Sequence, residues 1–171
     1  TNCAKGTPDD AIVAKYQNKV PEIPPDADEP RLHAADVLTR GIALTELQCK
    51  GLASAIWVRV EGRTFCVRYW MSAAGGKKDD AMVFLDGDLS ETEKGSGKLN
   101  SHSARVTSSS MQRNAQFWSR VYGGPYVVIG RPGTFGSSGH HGRDRRTVLE
   151  VKVVMAALDA LKERYGFKRL H

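Results

Sequence analysis

The stretch YVVIGRPGTFGSSG, residues 126–139, is the most informative part of this chain. A short apolar run, Tyr126–Ile129, leads directly into a loop with glycines at positions 130, 133, 136 and 139. An apolar run of this length, bounded by turn residues, is typical of a strand buried on both faces. The glycines allow close backbone approach, but they match neither the G-x-x-x-x-G-K-[ST] phosphate loop nor G-x-G-x-x-G. The stretch therefore predicts a buried strand that ends in a ligand-facing loop, and it argues against a nucleotide site.

Amphipathic helices are predicted on both sides of this strand in the sequence. Residues 111–122 carry apolar side chains on one helical face, and glycines 123 and 124 end the pattern. Thr147 and Glu150 have the spacing of a capping box, and Gly166 is a predicted C-cap. The predicted apolar stripe of this second helix consists of Val151, Val154, Met155, Leu158, Leu161 and Tyr165.

Further strands are indicated before and after these helices. Period-two alternation at 56–60 and 65–71, interrupted at Gly62, predicts a β-hairpin. Residues 81–85 predict a strand buried on both faces, and residues 167–171 look like the start of another strand. Alternating strands and helices indicate the α/β class with right-handed crossovers. Because the last strand would coincide with the end of the chain, we expect a sheet that is incomplete as a domain.

Composition sets limits on the class of protein. The chain has 171 residues, of which 40% are apolar and 26% charged, which indicates a folded domain and excludes disorder and collagen. We divide it into an N-terminal arm and lead-in, residues 1–50, and a sheet domain, residues 51–171. The net charge of +6 is concentrated after residue 100. These bases are interleaved with strand and helix patterns, so we expect a solvated basic face and no nucleic-acid partner. No apolar run is long enough for a membrane span.

Three cysteines, Cys3, Cys49 and Cys66, carry the compartment prediction. Cys49 and Cys66 flank a short apolar run and could close a small loop, which leaves Cys3 for a partner outside the chain. The sequence begins at Thr1 without Met or signal peptide, as a processed exported protein would, so we expect a periplasmic or secreted location. The alternative is a cytosolic protein with three reduced thiols.

Metal and cofactor sites are not predicted. No His or Cys spacing fits a zinc site, and the adjacent His140 and His141 are interpreted as exposed loop residues. Ser137 and Ser138 lack the G-x-S-x-G context that exposes a nucleophilic hydroxyl, and we interpret them as structural.

The region from residue 55 to residue 171 resembles the first half of an α/β-hydrolase domain. The resemblance depends on the strand at 81–85 with Asp86-Gly-Asp after it, the strand and glycine loop at 126–139, and the capped helix before residues 167–171. It implies an antiparallel hairpin followed by parallel strands with crossover helices. It also implies that the last strand leads to a G-x-S-x-G nucleophile, with the acid and the His later still, all beyond His171.

The resemblance also assigns roles to residues of two loops. The backbone N–H groups of Asp88 and Leu89 are the implied oxyanion donors. Four residues are implied to shape the substrate pocket: Gly87, Arg131, Phe135 and Gly136. Asp86 departs from the family, which often has His-Gly at this position. A carboxylate there would repel an oxyanion unless it points away or is neutralised by a base such as Arg131.

The sequence therefore predicts the amino-terminal portion of an exported serine hydrolase that acts on a small ester or peptide without a cofactor. Its partner would be the C-terminal portion of the domain, or a second chain tethered through Cys3. The alternative is a non-catalytic α/β binding or interaction protein whose open sheet edge pairs with a partner strand.

Overall fold

The computed structural model describes residues 29–34, 36–73, 79–87, 99 and 101–171. Its five strands are β1 (Ala55–Val60), β2 (Arg63–Ser72), β3 (Asp80–Leu85), β4 (Tyr126–Ile129) and β5 (Arg169–Leu170). Its α-helices are α1 (Val37–Arg40), α2 (Glu46–Lys50), α3 (Ser108–Tyr122), α4 (His141–Asp144) and α5 (Val148–Tyr165), with a 3₁₀ turn at Ser103–Arg105. Most of the predicted N-terminal arm, including Cys3, lies outside the described residues.

The strands form one mixed sheet in the order β1-β2-β4-β3-β5. β1 and β2 are the predicted antiparallel hairpin, and β2 is also antiparallel to β4. β3 and β5 run parallel to each other, and β3 is parallel to β4. The α/β class is therefore confirmed, with a hairpin at one side of the sheet and parallel strands at the other.

Helices cover both faces of the sheet because the strand residues alternate between two apolar clusters. Val127 and Ile129 of β4 belong to the cluster that includes Val153, Ala157 and Leu161 of α5. The intervening strand residues, among them Trp70 and Val128, pack in the second cluster with Met111 and Ala115 of α3. The predicted burial of β4 on both faces is confirmed, since all four of its residues are buried.

Both long helices begin and end at capping residues. α3 begins three residues earlier than predicted because Thr107 and Ser110 form a capping box, and it ends at Gly123 in the left-handed conformation. α5 begins after Thr147, whose hydroxyl accepts a bond from the Glu150 N–H, and it ends at the predicted Gly166.

Two burial predictions are wrong in the same region of the molecule. β3 is not buried on both faces, because Phe84 and Leu85 are 42% and 43% exposed. The predicted stripe of α5 is also partly wrong, because Val151 and Met155 are 60% and 51% exposed. The core face of α5 instead consists of Val153, Val154, Ala157 and Leu161. Leu85, Val151 and Met155 line an open cleft beside the carboxyl end of β3, whereas Phe84 lies on the opposite face of the sheet.

Candidate functional site

The two predicted binding loops leave the same edge of the sheet. β3 and β4 are parallel, with Leu85 opposite Ile129, so both strands end side by side. A side-chain contact joins the loops there, because Arg131 Nη2 donates to the Gly87 carbonyl oxygen at 2.8 Å. The structure thus brings together Gly87 and Arg131, two of the four residues assigned to the substrate pocket.

These loops form one wall of an open cleft of about 630 Å³ against the start of α5. Its apolar lining comes from β3 and α5: Leu85, Val151, Val154, Met155 and Leu158. Its polar lining comes from the loops after β3 and β4, the segment before α5 and the first turn of α5: Asp86, Gly87, Arg131, Arg146 and Glu150. A cleft with apolar walls and a few convergent polar groups is the usual form of a ligand site.

An ion pair lies at the polar end of this cleft. Arg131 Nη1 donates to Glu150 Oε1 at 3.2 Å, and the two side chains are only 15% and 10% exposed. The second Glu150 oxygen accepts from the Arg146 N–H at 2.6 Å. Glu150 therefore joins the 130–139 loop (residues 130–139) to the segment that enters α5. The sequence identified Glu150 only as a capping residue, because its contact with Arg131 depends on tertiary packing.

Asp86 accepts a hydrogen bond from the Gly87 N–H at 2.6 Å through Oδ1. Burial, and to a lesser extent the charge of Asp86, raises the pKa of the Tyr126 hydroxyl to about 12. The Arg131 guanidinium meanwhile bonds Glu150 and the Gly87 carbonyl. The implied oxyanion donors, Asp88 and Leu89, lie outside the described residues.

The serines of the 130–139 loop bind backbone groups and are buried, as the interpretation of them as structural requires. Ser137 Oγ donates to the Gly130 carbonyl at 2.7 Å and accepts from the Arg68 N–H at 2.8 Å. Ser138 Oγ accepts from the Cys66 N–H at 2.7 Å. These bonds fasten the loop to β2 and hold both hydroxyls in the interior.

Phe135 and Gly136 are placed away from the cleft. Phe135 is 2% exposed and packs in the second apolar cluster, beside Val128 and Val37. It adopts a left-handed backbone with φ of 49°, which is uncommon for a residue with a side chain. Gly136 also has a positive φ and faces Arg68 and Leu32. Phe135 and Gly136 therefore contribute to the conformation and packing of the loop, and neither lines the cleft.

The end of the 130–139 loop packs tightly against α4. A Cβ at Gly133 would collide with the backbone of His140 and His141. The interpretation of His141 as an exposed loop residue is wrong, since it is 2% exposed. Gly139 pairs with Ile42 of the lead-in through two backbone bonds of 2.8 Å. This non-local pairing had no signal in the sequence.

Cys49 and Cys66 lie at disulfide distance, with an S–S separation of 2.05 Å. The pair joins α2 to β2 and is buried, with exposures of 2% and 0%. The Cys66 N–H also donates to Ser138 Oγ, so the pair is linked directly to the 130–139 loop.

Neither a metal centre nor a membrane-spanning helix occurs among the described residues. No group of three or more His, Cys, Asp or Glu side chains is arranged to hold a metal ion in that part of the chain. Within the same residues, no helix has the length and apolar character needed to cross a membrane.

No family model, curated protein or solved structure matches this chain. The α/β class of the fold therefore rests on the sheet and helices described above.

Proposed function

We propose that this chain is the amino-terminal portion of a serine hydrolase of the α/β-hydrolase type, exported from the cytoplasm and acting on esters or peptide-like amides. The observation that carries the proposal is the convergence of Gly87 and Arg131 at the carboxyl edge of a sheet built from a hairpin followed by parallel strands. In open α/β sheets this edge is where ligands bind.

The direction of β5 supports a nucleophile beyond His171. β5 is parallel to β3, and the backbone of His171 bonds both Ala81 and Val83. A continuation of β5 would run past Phe84 and Leu85 toward the edge where Gly87 lies. A strand-to-helix turn at that point would present a serine to the cleft, as the nucleophile elbow requires.

The exposed apolar surface supports a completing polypeptide. Val148, Val151 and Met155 are exposed at positions three and four residues apart, so they lie on one side of α5. Leu85, at the end of β3, is also exposed and lines the same cleft as Val151 and Met155. We expect the segment that follows β5 to cover these side chains, because burying each one contributes about 1.5–3 kcal/mol.

In the complete site, a serine would attack the substrate carbonyl while a histidine accepts its proton, and the alkoxide or amine would leave with that proton. Backbone N–H groups after β3 would stabilise the tetrahedral oxyanion. The role of Arg131 would be to hold the Gly87 carbonyl, and with it the course of the loop after β3. This chain alone would supply the oxyanion side and part of the substrate wall.

Fluorophosphonate labelling of the native protein tests this proposal. The protein would be recovered with an antibody raised against residues 108–122, labelled, and mapped by peptide mass spectrometry. We expect the label on a serine after residue 171 or on a polypeptide associated with the chain. The isolated 171-residue chain is the control and should remain unlabelled, whereas labelling at one of its own serines would contradict the proposal.

The alternative of a non-catalytic binding module is favoured by one specific observation. The Asp86 carboxylate occupies the Gly87 N–H at the start of the loop that would hold an oxyanion. A negative charge there opposes oxyanion formation. A native protein that carries no fluorophosphonate label in any associated species would support this alternative.

A further inference from the structure

His33 lies in the lead-in and contacts two distant segments of the chain. Its Nε2 accepts a hydrogen bond from the Phe135 N–H at 2.7 Å. Its Nδ1 lies 3.0 Å from the carbonyl oxygen of Ser103. A carbonyl oxygen only accepts, so Nδ1 must be the donor, and the two bonds together require the neutral ring with its hydrogen on Nδ1.

The surroundings of His33 favour this neutral form. The side chain is 5% exposed, and the ring packs edge-on against Phe135 with centroids 4.9 Å apart. Burial lowers the pKa of the His33 ring, and the Ser103 carbonyl and the charge of Asp86 oppose this shift in part. The described lead-in around His33 also carries Glu29, Arg31 and Asp36, the Ser103 segment carries Arg105, and the 130–139 loop carries Arg131 and contacts Arg68 at Gly136.

A protonated His33 could not keep its bond to Phe135. Nε2 would then carry a hydrogen that points at the Phe135 N–H, so two donors would face each other in a buried space. Phe135 already has a left-handed backbone, with φ of 49°, and such a conformation persists only where surrounding contacts enforce it. Loss of the bond would therefore free the strained centre of the 130–139 loop.

We propose that His33 is a protonation-sensitive latch that holds the 130–139 loop in its present form and releases it when the ring takes up a second hydrogen. The same loop carries Arg131, which reaches both Gly87 and Glu150 at the cleft. Release at Phe135 would thus loosen the polar end of the cleft. The latch is independent of whether that cleft belongs to a hydrolase.

The direction of the pH effect follows from the geometry. The folded state favours neutral His33, so as the pH falls the unfolded or opened loop binds the proton first. The stabilisation by His33 is fully present above its ordinary pKa of 6.5 and is lost as the pH falls through the lower pKa of the folded state.

The test is NMR on the 171-residue chain between pH 7.5 and pH 4.5, using the His33 ring nitrogens and amide hydrogen exchange. At pH 7.5 we expect the Nδ1–H tautomer, and on acidification we expect the protection of the Phe135 amide to fall at least about tenfold after correction for intrinsic exchange. The Val128 amide in β4 is the internal control and should keep its protection.

The His33→Gln variant completes the test, because an amide can accept from Phe135 and donate to Ser103 without titrating. Its Phe135 amide should show no comparable loss at low pH. The proposal would be overturned by an Nε2–H tautomer at pH 7.5, by Phe135 protection that stays constant while the ring of His33 titrates, or by an equal loss in the variant. If the variant does not fold, the tautomer and exchange measurements on the wild-type chain still decide.

Discussion

The ion pair between Arg131 and Glu150 should contribute measurably to stability, because both side chains are nearly buried. At a separation of 3.2 Å and an effective dielectric constant of about 20, the direct attraction amounts to about 5 kcal/mol. Desolvation of the two charges offsets much of this, but removing one partner leaves the other charge uncompensated. We therefore expect Glu150→Gln, which removes the charge and retains the side-chain length, to lower the free energy of unfolding by about 3 kcal/mol.

Urea denaturation followed by tryptophan fluorescence measures this loss. With a slope of about 2 kcal/mol per molar, the midpoint should fall by about 1.5 M. The matched control is Lys50→Gln, which breaks the exposed pair with Glu46, whose side chains are 67% and 53% exposed. That change should lower stability by less than about 0.5 kcal/mol.

A double-mutant cycle with Arg131→Met separates the pair from other effects. If the pair acts as described, the double variant should be more stable than the sum of the two single losses predicts, with a coupling of about 1–3 kcal/mol. A loss for Glu150→Gln as small as that of the control, or a coupling near zero, would refute the reasoning.

Three further changes test other parts of the structure. Gly133→Ala should lower the melting temperature more than Gly123→Ala, because both glycines have a positive φ but only Gly133 faces backbone atoms. We expect the free energy of unfolding to fall by about 3 kcal/mol for Gly133→Ala and by about 1 kcal/mol for Gly123→Ala. Equal losses would contradict the close packing of the 130–139 loop. Replacing Cys49 and Cys66 together by Ala should lower the free energy of unfolding in urea by about 3 kcal/mol, since the pair closes a loop with a sequence separation of 17 residues; an unchanged midpoint would show that the bond is absent. Burial raises the pKa of the Tyr126 hydroxyl from 10 to about 12. The stabilisation by neutral Tyr126 is therefore complete below pH 10 and is lost as the pH rises toward 12. Urea midpoints between pH 8 and pH 11 should fall less in Tyr126→Phe than in the wild type, and identical pH profiles would argue against a stabilising role of the neutral hydroxyl.

Local features of the fold could be predicted from the sequence. The hairpin follows from strict alternation around Gly62, and the ends of α5 follow from Thr147 and Gly166. Each of these signals lies within a few residues of the structure that it specifies. The strand at 126–129 was also predictable, because a four-residue apolar run between glycines has few other structures open to it.

Non-local features could not be predicted in the same way. Val151 and Met155 have the spacing of a core stripe, yet they are exposed because α5 is apolar on two sides and the sheet covers only one. The contacts of His33 with Ser103 and Phe135 span 70 and 102 residues and depend on tertiary packing alone. In the candidate site, Gly87 and Arg131 were singled out by the resemblance to an α/β-hydrolase domain, whereas the Glu150 contact depended on how α5 meets the sheet.

The central proposal is that this chain supplies one half of a hydrolase domain, and the sequence that follows His171 in the native polypeptide tests it most directly. Peptide mapping of the native protein should find a few further strand residues and then a G-x-S-x-G sequence, either in continuous chain or in a polypeptide bound to this one. A native polypeptide that ends at His171, with no bound partner that carries such a serine, would contradict the proposal.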